Sequence, residues 1–178
     1  MLAERVQTGE FRHAKLNEDL LRSFHRALFA GIRDFAGRTR GPDWGSDRLT
    51  FGPNRSPDKS EVPGRLSAVF LKLAHSVGSF EANPDDPAYD RSAVQVAVWA
   101  HAEVIGVHPF EDGNGRTSRL LLDTILIRLG LRPIAFEIPK EEYRAALNLY
   151  YTSAEIQPLV DLALRVYRFL HLRESPLR

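Results

Sequence analysis

At 178 residues the chain has the length of one ordinary domain, able to bury a core without disulfide or metal staples. It contains no Cys, which removes disulfides, thiolate zinc sites and a cysteine nucleophile, and its net charge of +1 argues against a nucleic-acid partner. The N-terminal MLAERVQTGEFRHAK has charges where a signal peptide needs an apolar run. The longest apolar stretch, AVQVAVWAHAEVIGV, is broken by Gln95, His101 and Glu103 and is short for a bilayer span. A cytoplasmic protein without a membrane partner is expected, and export on some other signal stays open.

From Asn17 to about Ala36, Leu20, Leu21, Phe24, Leu28 and Ile32 recur at three- and four-residue steps, which predicts an amphipathic helix ended by Gly37. Residues 37 to 64 are dense in Gly, Pro, Ser and Asp and read as a long loop with at most a short hairpin around Arg48 to Phe51. A helix from Arg65 to Ser79 and a loop, NPDDPAY, come next. Asp90 or Ser92 is the expected cap of a helix reaching Val107, apolar around most of its circumference and therefore central. It must stop near His108, because the residue before Pro109 is biased out of the helical region. A second apolar helix is predicted from Gly115 to Leu129, then two more over Lys140 to Tyr151 and Gln157 to Leu172. Strand signals are minimal, there is no internal repeat, and the class is all-α.

The densest polar run, HPFEDGNGRTSR at 108 to 119, falls between the two most apolar helices. It lies at the N-terminus of the second, where unpaired peptide N–H groups and the helix dipole attract anions before any side chain is counted. Gly113 and Gly115 let the backbone approach an oxyanion, and Asn114 between them offers an amide donor. Arg116 and Arg119 share one face at an axial offset of roughly 4.5 Å, suited to neighbouring phosphates. Asp112 beside them is a natural Mg²⁺ ligand, and His108 at the other lip a natural general base. These residue types together point to a Mg²⁺-nucleotide held by its phosphates, with a base facing an attacking hydroxyl.

The same run resembles, at every defined position, the His-x-Phe-x-Asp/Glu-Gly-Asn-Gly-Arg-x-x-Arg motif of Fic-domain proteins. Upstream, FHRALFAGIRDFAGRTR is similar to a family segment in which Phe35 here replaces the usual Trp, and EEYRAALNLYYTSAEIQPLVDLAL resembles the later helices. The resemblance implies one Fic domain over 1 to 178, with a core at 16 to 172. The implied fold is a helical bundle with an anion-binding loop between two central helices and a short β-hairpin flap at 41 to 64. It further implies AMP transfer from ATP to a Ser, Thr or Tyr hydroxyl of a target protein docked at that flap. Carried over, His108 is the base and Asp112 holds Mg²⁺. Gly113, Asn114, Gly115 and Arg116 form the anion hole, Arg119 engages the outer phosphates, and Phe110 pegs the loop.

Other positions read more plainly. His101 is expected to be structural, His25 to pack within the first helix, and Glu111 to be solvated. Tyr143 and Leu147 are candidates for an adenine-pocket wall, although an aromatic and a Leu four apart serve more often as core. Arg165, Arg168, Arg173 and Arg178 read as a solvated face and end. The alternatives to AMP transfer are transfer of another nucleotide, phosphocholine or phosphate, or an idle binding module. Many Fic proteins resemble one another in an inhibitory helix whose Glu, followed by Gly or Asn, pairs with the second motif arginine. In this sequence no Glu is followed by Gly or Asn. The expectation is constitutive activity or a toxin restrained by a separate antitoxin that supplies the Glu, with Glu4, Glu10, Glu155 and Glu174 the candidates for a divergent helix in cis.

Overall fold

The computed structural model describes residues 1–45, 47–82, 88–134 and 139–171. Seven helices and one small sheet are seen among them, in the order α1 (Leu2–Gln7), α2 (Glu18–Phe29), β1 (Thr50–Phe51), β2 (Asn54–Arg55), α3 (Val62–Ala82), α4 (Tyr89–Val107), α5 (Asn114–Arg128), α6 (Lys140–Ser153) and α7 (Gln157–His171). The expected NPDDPAY loop lies mostly outside the described residues, as do Leu172, Arg173, Glu174 and Arg178.

The all-α expectation holds, with α4 and α5 at the centre. Both bury most of their length, α4 through residues such as Val94, Val98, Val104 and Ile105, α5 through Leu121, Leu122, Ile125 and Leu126. Their shared interface is the most extensive in the molecule. Around it, α3 and α7 pack on α4, while α1 and α2 pack on α5. Burial of these aliphatic side chains, at about 25 cal/mol per Å² of apolar surface, is the dominant stabilising contribution to this arrangement.

Three expectations are corrected. The first is the length of α2, which stops at Phe29 rather than near Ala36. Ala30 leaves the helical region at ψ 129° and Gly31 turns with φ +75°, so Phe29 and Phe35 fold back around His25, with ring centroids at 4.7 and 6.0 Å. Ile32, on the expected apolar face, is left 69% exposed. The second is the cap of α4: neither Asp90 nor Ser92 caps it, because the helix begins at Tyr89. That ring packs edge-on to Phe80, and its hydroxyl donates to Leu129 O at 3.0 Å. The third is the start of the core, expected at 16: α1 lies before it and its buried Val6 joins the core.

The hairpin lies slightly beyond the expected place, pairing Thr50 with Arg55 and Phe51 with Asn54 in antiparallel register. Gly52 at φ +59° makes its two-residue turn. No helix among the described residues is long and apolar enough to cross a membrane.

Candidate active site

The six residues between α4 and α5 carry the first half of the polar run, and the first six of α5 carry the rest. His108 ends α4 in the left-handed region at φ 51°, ψ 57°, its N–H donating to Val104 O at 3.0 Å. A non-glycine residue there is strained by about 1 kcal/mol or more. Arg40 holds it in place. This guanidinium is wholly buried, yet its nearest partners are carbonyls rather than a carboxylate. Nε donates to His108 O at 2.9 Å and Nη2 to Val107 O at 3.4 Å, while its own backbone N–H donates to Pro109 O at 2.7 Å. The same side chain reaches Asp47 O at 3.3 Å and Pro57 O at 3.5 Å, one on either side of the hairpin. A single side chain therefore fixes His108 and both roots of the hairpin.

The His108 ring is half-buried. Its Nδ1 sits 3.3 Å from Ile105 O, and since a carbonyl can only accept, Nδ1 carries the proton and Nε2 presents a lone pair. Burial, aided by the nearby Arg40 charge, pulls its pKa below the ordinary histidine value, which keeps the ring neutral and its Nε2 lone pair unprotonated. Phe51 of the flap stacks on it at 4.6 Å and 7°, and Tyr151 meets Phe51 edge-on at 5.9 Å. Asn54 ties the flap to α6 through Asn148 at 2.7 Å.

His25 does more than pack within α2. Gly37 N–H donates to its Nδ1 at 2.8 Å, so Nε2 carries the proton and donates to Asp112 O at 3.1 Å. Its ring stacks on Phe110 at 3.8 Å and 8°. Phe110 is fully buried, as a peg for the loop requires. Burial lowers the His25 pKa, consistent with a ring that must remain neutral to accept from Gly37.

Gly113 is required twice over. Its φ is +78°, and a Cβ there would lie 2.6 Å from Phe29 Cζ and closer still to Cε2. Asn114 departs from its expected part. Its side chain accepts from Phe110 N–H at 2.9 Å and donates to Phe110 O at 2.8 Å, so the amide is spent on closing the loop and only its backbone N–H remains for an anion. The first intrahelical bond of α5 runs from Thr117 N–H to Gly113 O at 2.9 Å, and no side chain caps this end. The N–H groups of Asn114, Gly115 and Arg116 thus form the positive end of a 15-residue helix.

Arg116 and Arg119 are exposed and lean toward different neighbours. The Arg116 guanidinium lies 4.6 Å over the Phe29 ring and 3.3 Å from Asp112 Oδ2; that of Arg119 lies 6.0 Å from the Tyr143 ring. Asp112 Oδ1 accepts from Gly113 N–H at 2.6 Å. Glu111 is exposed, as expected. His101 is buried, its Nε2 2.7 Å from the Tyr143 hydroxyl, which suits the structural part expected of it. Tyr143 and Leu147 are 9% and 7% exposed and belong to the core, Tyr143 alone bordering the site through Arg119.

The family profile described as Fic/DOC matches residues 15–126, more than half of the chain. The protein adenylyltransferase Fic of Drosophila mojavensis is 40% identical over 80 residues, 45% of this chain and 14% of that protein. The protein of the same name from Drosophila yakuba is 42% identical over 104 residues, 55% of this chain and 19% of that one. The chain thus spans less than a fifth of the length of these relatives. Among solved structures, the N-terminal Fic domain of Bep8 from Bartonella sp. 1-1C superposes with a TM-score of 0.74 at 14% identity, covering 99% of this chain and 85% of that one. His25, Arg40 and the whole 108 to 119 loop fall inside the matched segment whereas α6 and α7 lie beyond it, and on that match the chain belongs to the Fic/DOC family.

Proposed function

We propose that this chain transfers AMP from ATP to a Ser, Thr or Tyr hydroxyl of another protein. One observation carries the reading: His108, with its Nε2 lone pair, stands at one lip of a loop whose other lip is the uncapped N-terminus of α5, with two arginines on the first two turns. A phosphate chain bound on those N–H groups, Arg116 and Arg119 brings its α-phosphorus toward His108. The acceptor oxygen attacks that phosphorus, His108 Nε2 takes the hydroxyl proton, the bond to the β-phosphate oxygen breaks, and pyrophosphate leaves. The shared adenylyltransferase name of the relatives supports this chemistry. So does the Bartonella tribocorum BepC structure, which has AMPPNP bound and superposes with a TM-score of 0.70 at 19% identity over 93% of this chain and 85% of that one.

Mg²⁺ fits the donor set. Asp112 offers an exposed carboxylate at the phosphate end of the loop, and among the described residues no cluster of three His, Cys, Asp or Glu side chains competes for a metal. A single carboxylate plus phosphate oxygens and water is the usual magnesium shell, and the ion would offset charge between the phosphates. Asp112 would release Arg116 to do this.

The flap is the proposed dock for the target. Its Phe51 rests on the His108 ring, so a chain lying along the hairpin passes directly over the base. A second reading concerns control. Because no Glu in these 178 residues is followed by Gly or Asn, we assign the restraint of Arg119 to a Glu from outside this sequence, as in a toxin and antitoxin pair. The test of the activity is incubation with ATP labelled at the α or the γ position in a cell lysate. Label retained on protein from the α position alone supports AMP transfer, and retention from the γ position refutes it.

A further inference from the structure

A cavity of about 380 Å³ lies between the hairpin, the start of α3 and the end of α4, lined among others by Arg48, Arg55, Glu61, Arg65 and Glu103. A second, of about 330 Å³, continues it along α3 to Lys72 and Trp99 and shares Arg65, Glu103 and Val107 with the first. Together they form one valley along the α3–α4 pair. We propose that this valley docks an acidic segment of the acceptor protein, next to the hydroxyl that receives AMP. The inference rests on the AMP-transfer reading for the identity of its partner.

Charge is the first argument. The whole chain carries only +1, yet the valley gathers Arg48, Arg55, Arg65 and Lys72 against two carboxylates. Glu61 is paired with Arg65 and Glu103 keeps its charge, so the four cations exceed the two carboxylates by two charges. Glu61 Oε2 accepts from Arg65 Nε at 3.0 Å and from its Nη2 at 2.8 Å, and Glu103 accepts the Tyr150 hydroxyl. The Arg48 and Arg55 side chains are exposed and make no hydrogen bond or ion pair with any described residue, Arg48 acting on Asp58 and Glu61 only at a distance. Lys72 lies 4.4 Å over the Trp99 ring, which positions its ammonium along the valley.

Continuity with the reaction centre is the second. Val107, on the wall of both cavities, precedes His108 in the chain. Tyr151 lines the first cavity and touches Phe51, which stacks on the His108 ring. An extended chain advances about 3.3–3.6 Å per residue. Residues a few positions from a hydroxyl seated at His108 would run along the wall that Val107 and Tyr151 share with the cavity. Opposite charge across such a surface sets partner choice and encounter rate more than ultimate affinity.

The experiment has a binding arm that needs no chemistry and a transfer arm that does. In the first, fluorescence anisotropy reports binding of a short Glu/Asp peptide without hydroxyl side chains, beside a Lys/Arg peptide and an RNA oligonucleotide of equal length. The acidic peptide should bind best, and Arg55→Glu with Lys72→Glu should weaken it about tenfold, since two attractions become two repulsions. Arg33→Glu, an exposed charge outside the valley, should weaken it less than about twofold. Equal loss from Arg33→Glu, or RNA binding as tight as the peptide, overturns the assignment. In the second arm, α-labelled ATP and Ser-, Thr- and Tyr-containing peptides with acidic or neutral flanks are compared. Lys72→Glu alone, outside the flap, should raise KM for the acidic peptides and leave the neutral ones unchanged; no preference in the parent overturns the proposal. Selective acidic binding with no peptide labelled at all would instead refute AMP transfer and retain the docking surface.

Discussion

Replacing Arg40 by Met keeps an unbranched stem in the same buried slot as far as about the position of Nε and removes every donor from it. The short bond from Nε to His108 O, at 2.9 Å, is a full charge-assisted hydrogen bond worth about 1.5–3 kcal/mol. The contacts to Asp47 O, Val107 O and Pro57 O, at 3.3, 3.4 and 3.5 Å, lie beyond the usual range and each contribute a fraction of that. Against them stands the cost of burying a guanidinium without a carboxylate beside it, the burial that pulls the Arg40 pKa below the usual arginine range. The balance is a loss of about 3 kcal/mol, which at about 2–4 °C per kcal/mol for a domain of this size lowers Tm by about 6–12 °C. Function should divide. Transfer of label to protein should fall by more than about tenfold, since the base and the flap lose their common anchor. ATP affinity, read by calorimetry below the new Tm, should stay within about twofold, because no bond from Arg40 reaches residues 112 to 119. An unchanged Tm with full labelling refutes the anchoring argument. Nucleotide affinity falling in step with labelling would show that Arg40 acts through the phosphate loop instead.

His108→Ala should cut transfer by about 10²–10⁴ and leave ATP affinity unchanged; more than a few per cent of residual rate would remove His108 from the role of base. Because burial depresses the His108 pKa, its neutral form survives as pH falls through the ordinary value of about 6.5, and the rate should decline only below that. A decline centred at or above about 6.5 contradicts the cause assigned to the shift. Gly113→Ala must either displace the Phe29 ring or abandon φ +78°, and should weaken ATP binding at least about tenfold; calorimetry showing parental affinity would mean that the loop is not rigid. Asp123, buried and accepting Ile134 N–H at 2.9 Å, has its pKa raised to about 7 by desolvation. Its folded value exceeds its unfolded one, so the stability it supplies is complete below about pH 4 and is lost as pH rises to about 7. Asp123→Asn keeps the acceptor and removes the charge, so its Tm should exceed the parent's at pH 8 and approach it at pH 4, and a difference independent of pH would refute the reasoning.

What could be determined from the sequence was local in origin. The break after α4 follows from Pro109 and from nothing distant, and the start of α5 at the glycine pair follows from positive φ and exposed N–H groups. The apolar runs on both sides assign α4 and α5 to the centre, because a helix apolar around most of its surface has no other place. Side-chain partners were another matter. Asn114 reads as an anion donor until the loop closes and places Phe110 N–H and O against its amide. His25 and Arg40 stand 87 and 68 residues from the backbone oxygens they bind, and nothing near either residue in sequence announces that pairing. The same applies to the end of α2, where helical spacing continues to Ile32 but rings gathered around His25 turn the chain away. Periodicity reports which face of a segment is apolar. Which buried polar group meets which depends on the packing of helices far apart in the chain, since each such group must find a partner wherever the fold leaves one.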